Sequence, residues 1–292
     1  PKEVKTALAE VYDKGYGKYG PTKGITELRK ILSKESTVDI ENIMICPGAR
    51  FAVYLAITTL LNPGDEIIVI EPAWPAYKDC ALNAGIKVRT IKTTLETRWE
   101  PSIDQIKNAI NENTKMIVLN YPNNPTGKVL PEKLLVNIFQ TAKEHDLYVL
   151  SDEIYFRLDR LNEIRVPSQY CKPMISNHEK SIIINSFSKS HAMTGFRIGW
   201  VIAEPSIIEK MSKLQALSLT NVSEPIQYVA LRALEANTTK NEQVVRTRLD
   251  VLIQSAKDIG LEFIEPDGAM YLFAKTKYKD FDATKFSEKL LE

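Results

Sequence analysis

Lys189 stands between two serines in the stretch Ser186-Phe187-Ser188-Lys189-Ser190. The apolar run Ile182 to Ile184 leads into this stretch, and a second apolar run, Phe196 to Ala203, follows with Arg197 near its start. A lysine at a strand end with apolar residues on both sides is partly withdrawn from water, which favours a neutral amine able to attack a carbonyl. Two hydroxyls and a nearby guanidinium suit a phosphate, which takes short charge-assisted hydrogen bonds and a planar fork. A reactive amine beside a phosphate grip points to pyridoxal 5′-phosphate (PLP). Taken alone, the same residues also read as a surface loop with an ordinary lysine.

Other chemistry-bearing residues sit after predicted strands. Pro47-Gly48 turns the strand Ile43 to Cys46 into a helix from Ala49 to Leu61, whose first-turn N–H groups at Ala49 and Arg50 offer an anion site. Trp74 follows the continuous apolar strand Glu66 to Ile70 and can stack on a planar ring or serve as core. In Pro122-Asn123-Asn124-Pro125-Thr126-Gly127 two prolines pin the amide of Asn124 at the end of the strand Lys115 to Tyr121. Asp152 follows the strand Leu147 to Leu150, where a buried carboxylate needs a partner. A protonated pyridine nitrogen, an arginine or water would each serve.

The elements that must position these residues alternate. Strands and helices succeed one another up to Ala203, which predicts an α/β fold with a mostly parallel, mixed sheet sandwiched by helices. Ligands of such sheets bind at the carboxyl ends of the strands, where Gly48, Trp74, Asn124, Asp152 and Ser186 fall together. Residues 156–180 lack periodicity and read as an irregular surface connection. Beyond it, helices are predicted over Pro205 to Leu219, Glu224 to Asn237 and Asn241 to Ile259. Strands at Leu261 to Ile264 and Met270 to Ala274 and a helix from Thr284 follow. The change of pattern near Asn237 divides the chain into a large domain, 1–237, and the start of a smaller α+β domain, 238–292.

Composition excludes several classes. A length of 292 residues with 44% hydrophobic and 26% charged residues is that of a globular protein, and a net charge of +1 favours neither nucleic acid nor an anionic membrane. The apolar run Phe51 to Leu61 is too short to span a bilayer. Cys46, Cys80 and Cys171 form neither a disulfide framework nor a zinc site, which points to a reducing cytoplasm. His145, His178 and His191 show no metal spacing.

In combination these motifs resemble the fold-type-I PLP-dependent aminotransferases of class I/II, the aspartate aminotransferase-like family. The matching pieces are Tyr19-Gly20 with Gly24 and Leu28-Arg29, Pro47-Gly48-Ala49-Arg50, Trp74 with Tyr77, Asn124-Pro125-Thr126-Gly127, Asp152-Glu153-Ile154-Tyr155, Ser186-Phe187-Ser188-Lys189 and Gly195-Phe196-Arg197-Ile198-Gly199, in the family's order. The resemblance implies that Lys189 carries PLP as a Schiff base and moves the substrate's proton. It also implies that Asp152 pairs with the pyridinium nitrogen, Asn124 and Tyr155 bond the phenolic oxygen, and Trp74 stacks on the ring. Ser186, Ser188, Arg197 and the amides of Ala49 and Arg50 would grip the phosphate, and Tyr19 would reach the phosphate of a neighbouring protomer in a homodimer. The implied reaction is amino transfer from an L-amino acid, aspartate first, to a 2-oxo acid such as 2-oxoglutarate. A lyase or decarboxylase on the same scaffold, or a PLP-binding regulatory module, are the alternatives. Relatives carry further segments at both ends, including an arginine that clamps the substrate α-carboxylate; the sequence is therefore expected to be a piece of a longer chain.

Overall fold

The computed structural model describes residues 1–160, 167–170, 178–275 and 282–291. One sheet is built from β1 (Ile43–Cys46), β2 (Glu66–Glu71), β3 (Lys87–Lys92), β4 (Thr114–Asn120), β5 (Tyr148–Asp152), β6 (Ser181–Ser186) and β7 (Gly199–Ala203), in the order β1-β7-β6-β5-β4-β2-β3. β7 is antiparallel to both its neighbours, β1 and β6, and the other pairs are parallel. The two reversals cancel, so β1 to β6 all end on the same edge, and β7 begins there: Cys46 and Ser186 both pair with Gly199.

Helices cover both faces, as the uninterrupted apolar strands require. They are α1 (Lys2–Asp13), α2 (Thr26–Ser36), α3 (Ala49–Leu60), α4 (Ala76–Asn83), α5 (Ile103–Ala109), α6 (Glu132–Glu144), α7 (Pro167–Tyr170), α8 (Phe187–Ser190), α9 (Pro205–Leu219), α10 (Glu224–Leu234), α11 (Thr239–Asp258) and α12 (Ala283–Leu291). Alternate strand residues part to the two sides. Ile43, Ile45 and Ile183 join Leu28 of α2, Ile106 of α5, Ile138 of α6 and Val229 of α10. Met44, Ile182 and Ile184 join Leu55 of α3, Ala81 of α4 and Met211 of α9. α3 is apolar nearly all round, with Ala52, Val53, Leu55, Ala56 and Ile57 buried, because it lies beneath the middle of the sheet against β5, β6 and β7. Among the described residues no helix is long and apolar enough to cross a membrane.

The predicted alternation of strands and helices is present, with differences at particular ends. The apolar run Phe196 to Ala203 is not one strand: Thr194–Phe196 is a 3₁₀ turn, Arg197 has a left-handed φ of 52°, and the strand starts at Gly199. The connection over 156–180 is not simply a surface loop where it is described, since Leu158 is buried and Pro167–Tyr170 is helical; residues 161–166 and 171–177, including Cys171, lie outside the described residues. The last two strands shrink to β8 (Glu262–Phe263) and β9 (Ala274–Lys275). They pair antiparallel, Glu262 with Lys275 and Phe263 with Ala274, and between them the N–H groups of Asp267 and Gly268 bond the carbonyl of Gly127.

Buried amides tie the loops to this frame. Gln215 Nε2 donates to the carbonyls of Thr22 and Ile45, 2.8 Å each. Gln227 Oε1 accepts from Ile25 N at 2.8 Å while its Nε2 donates to the Val222 carbonyl at 2.7 Å. Gln227→Leu keeps the volume but strands one buried donor, Ile25 N, at a cost of about 1–3 kcal/mol, while the Val222 carbonyl keeps Asn221 Nδ2 at 2.8 Å. Urea unfolding of this variant should show a loss of about 1–3 kcal/mol, and an unchanged midpoint would refute the role given to the amide.

Candidate active site

Asp152 ends β5 and is 1% exposed. Its Oδ2 accepts from Tyr77 Oη at 2.7 Å, and its Oδ1 is 3.4 Å from Ile154 N. Both partners are neutral, so among the described residues the carboxylate is hydrogen-bonded but not charge-balanced. Burial pushes the Asp152 carboxyl up to about 6, against the opposing pull of these two donors. Tyr77 is pushed up as well, first by burial and then by the Asp152 charge, and so stays a donor. The strand backbone is fixed from the side, where Asn120 Nδ2 on β4 donates to the Asp152 carbonyl at 2.9 Å.

Asn120 also organises the next loop: its Oδ1 accepts from Asn124 N at 2.9 Å. That turn brings Asn124 Nδ2 to 3.5 Å from Tyr155 Oη. Lys189 Nζ, half-buried on α8, lies 5.7 Å from the centre of the Tyr155 ring. Lys189, Tyr155, Asn124 and Asp152 are thereby gathered on one edge of the sheet.

The phosphate candidates meet next to them. Gly48 has φ 85° and no room for a side chain, because a Cβ there would stand 2.6 Å from Arg197 Nη2. The Arg197 guanidinium, exposed on its other side, lies directly on the turn that opens α3, and its Nη1 donates to the Thr194 carbonyl at 3.0 Å. Gly199 likewise admits no Cβ, which would lie 3.1 Å from Ala49 N. The first-turn amides of Ala49 and Arg50 have no partner within the helix. Ser186 caps α8 by accepting from Ser188 N at 3.2 Å, which leaves its own O–H to donate. Trp74 meets the Tyr77 ring edge-on at 5.3 Å, and the Arg50 guanidinium covers its face at 4.9 Å. Tyr19 is the candidate that the single chain does not bring in: it is 88% exposed, on a loop held by Glu224 Oε2 through the amides of Gly17 and Lys18.

The donor set matches PLP group by group. It supplies an amine for the aldehyde, a carboxylate for a ring-nitrogen cation, a phenol and an amide for the phenolic oxygen, and a guanidinium with hydroxyls and amides for the phosphate. Sequence reasoning passed over other residues. Tyr77 had been given no role, although its hydroxyl is the partner of Asp152. Glu153, 2% exposed, accepts from Ser151 Oγ at 2.8 Å and from Ser168 N and Oγ at 2.9 and 2.6 Å. Burial pushes it up to about 7, and its serine partners pull it back. The carboxylate thus moors α7 to the end of β5. Tyr271 Oη lies 2.7 Å from Tyr155 Oη.

Comparison with known proteins agrees with this geometry. The family model for aminotransferase class I and II matches residues 1–292. The aspartate aminotransferase of Thermotoga maritima is 33% identical over 301 residues, covering 100% of this chain and 77% of that protein. Its crystal structure superposes with a TM-score of 0.91 at 32% identity, over the same shares of both chains. The aspartate aminotransferase of Pyrococcus horikoshii is 34% identical, over 100% of this chain and 76% of its own length. The crystal structure of an aromatic aminotransferase from Pyrococcus horikoshii gives a TM-score of 0.93 at 31% identity, covering 100% and 80% of the two chains. This chain belongs to the class I and II aminotransferases and is a transaminase, passing an amino group between an amino acid and a 2-oxo acid.

Proposed function

We propose that the sheet edge binds PLP and uses it to take the α-amino group from an L-amino acid, aspartate foremost, and deliver it to a 2-oxo acid such as 2-oxoglutarate. The observation that carries this reading is the convergence of Lys189, Asp152, Asn124 and Tyr155 beside the cradle of Gly48 and Arg197. When bound, PLP supplies an aldehyde that holds the substrate nitrogen and a protonated ring that accepts the electron pair left at Cα.

The chain's residues do the rest. Lys189 Nζ holds the cofactor between turnovers and takes the proton from the substrate's Cα, a function worth roughly 10²–10⁴-fold. Asp152 keeps the ring nitrogen protonated, and that cation supplies the charge its two neutral partners lack. Asn124 and Tyr155 bond the phenolic oxygen, and Trp74 lies against the ring. Arg197, the hydroxyls of Ser186 and Ser188, and the amides of Ala49 and Arg50 hold the phosphate, which carries about two negative charges. Tyr19, exposed on its tethered loop, serves the phosphate of a second copy, so the active form is a homodimer. Sedimentation as a monomer would remove that part. Residues 238–292 begin a smaller domain, and the protein works in the cytoplasm.

Purified protein reconstituted with PLP should be yellow, and aspartate should bleach the visible band until 2-oxoglutarate restores it. Lys189→Ala should fold yet show no such band. A band that survives every L-amino acid tried would refute amino transfer, and release of ammonia or carbon dioxide without bleaching would show a different PLP reaction.

Asp152 and Glu153 also give a signed pH prediction. Their native values of about 6 and about 7 exceed the ordinary 3.8 and 4.5, so the folded state holds more protons between about pH 4 and 7. Stability from these groups is greatest below that window and is lost as pH rises through it. Urea midpoints of the cofactor-free protein should therefore fall over this range relative to Asp152→Asn. Loading PLP should flatten the fall, because the ring cation lowers the Asp152 value. A wild type that gains stability relative to Asp152→Asn as pH rises would contradict the assignment.

A further inference from the structure

The Tyr155 hydroxyl has a partner that the roles above leave unused. Tyr271 Oη lies 2.7 Å away, with the two rings edge to face at 5.6 Å. Tyr271 is held there by a built latch. Asp267 N and Gly268 N both donate to the Gly127 carbonyl, 2.9 Å each. The Asp267 carboxylate accepts from Val129 N at 3.0 Å and pairs with Lys128 Nζ at 3.1 Å, a side chain only 10% exposed. A Cβ on Gly127 would stand 2.4 Å from the Cβ of Pro266, so the latch closes only over a glycine. The loop that carries Asn124 and the loop that carries Tyr271 are therefore joined, and both contribute a partner to the same buried phenol oxygen.

Two facing phenols share one hydrogen bond, and its direction decides what Tyr155 can do. Asn124 Nδ2 can only donate. If Tyr155 gave its proton to Tyr271, its oxygen would offer the cavity an acceptor alone. If Tyr271 donates, the Tyr155 oxygen accepts from both neighbours and its own proton is left to donate to a third group. Tyr271 is the more exposed of the two, so its oxygen can accept from water while it donates. We propose that Tyr271 is a positioning residue: it donates to Tyr155 and thereby directs the Tyr155 O–H at the phenolic oxygen of the cofactor. This rests on the PLP reading. The titratable groups facing the pair are Asp152 at the end of β5, Tyr77 on α4 and Lys189 on α8, all unchanged in the variants below.

The test is a pH titration of the visible band of the PLP-loaded protein. A donor acting through Tyr155 stabilises negative charge on the phenolic oxygen, so its loss lets the proton persist to higher pH. Tyr271→Phe should keep PLP but raise the midpoint by about half a unit to one unit, the size of one neutral hydrogen bond. Replacing Tyr271 with 3,5-difluorotyrosine, a stronger donor of nearly the same shape, should lower it. The fluorinated protein decides the matter alone if Tyr271→Phe does not fold. A midpoint indifferent to both changes, in a wild type that shows the band, overturns this inference and leaves the cofactor reading standing. A wild type with no band overturns both.

Discussion

The site depends on one electrostatic constraint: a carboxylate, Asp152, withdrawn from water at the end of a central strand and met, among the described residues, by neutral donors. An isolated buried charge is costly, and two neutral hydrogen bonds offset that cost only in part. The edge is therefore prepared for a cation that the described residues do not place against the carboxylate. The surrounding architecture maintains this state. Tyr77 on α4 and Ile154 fix the two carboxylate oxygens, Asn120 on β4 fixes the backbone, and the apolar helical layers keep the strand dry. Lys189, on the turn that Ser186 caps, and Arg197, against Gly48, then offer an amine and a guanidinium.

The same edge shows how a sheet covered on both faces concentrates chemistry. Strand interiors such as Ile182–Ile184 have apolar neighbours above and below, so polar side chains are admitted mainly where the strands end. Six strands end on one line, and each turn contributes what its local backbone allows: an amide cradle after β1, an indole after β2, a carboxamide after β4, carboxylates at β5 and an amine after β6. Glu153 belongs to this economy in a different way. Facing away from Asp152 in the strand's alternation, it binds Ser151 and Ser168 and anchors the chain beyond β5.

Much of this was legible in the sequence because apolar runs bounded by polar turns mark buried strands, and site residues follow those runs directly. By that rule Gly48, Trp74, Asn124, Asp152 and Ser186 are expected at one edge of the sheet, and the ends of β1, β2, β4, β5 and β6 carry them there. What escaped it depended on distance or on backbone sign. Tyr77 reads as a core residue of a short helix, and only the fold turns its hydroxyl toward a strand 75 positions later. Tyr271 lies beyond Pro266-Asp267-Gly268, and nothing local tells that the amides of Asp267 and Gly268 bond the distant Gly127 carbonyl. The left-handed Arg197 breaks an apolar run that periodicity reads as continuous. Gly199 was the available signal there, since a glycine at the start of a buried strand marks a close approach of backbones.

The latch between Gly127 and Asp267 also bears on the order in which the enzyme can mature. Val129 and Asp267 are 138 positions apart, so during vectorial synthesis the asparagine-bearing loop emerges long before the residues that clasp it. A nascent chain can assemble the sheet with Lys189 and Asp152 in register while the Gly127 carbonyl still lacks its two donors and Lys128 has Glu100 alone. Closure of this latch is thus a late event on the ribosome, separated from the emergence of the asparagine-bearing loop by the time needed to translate α9, α10 and α11.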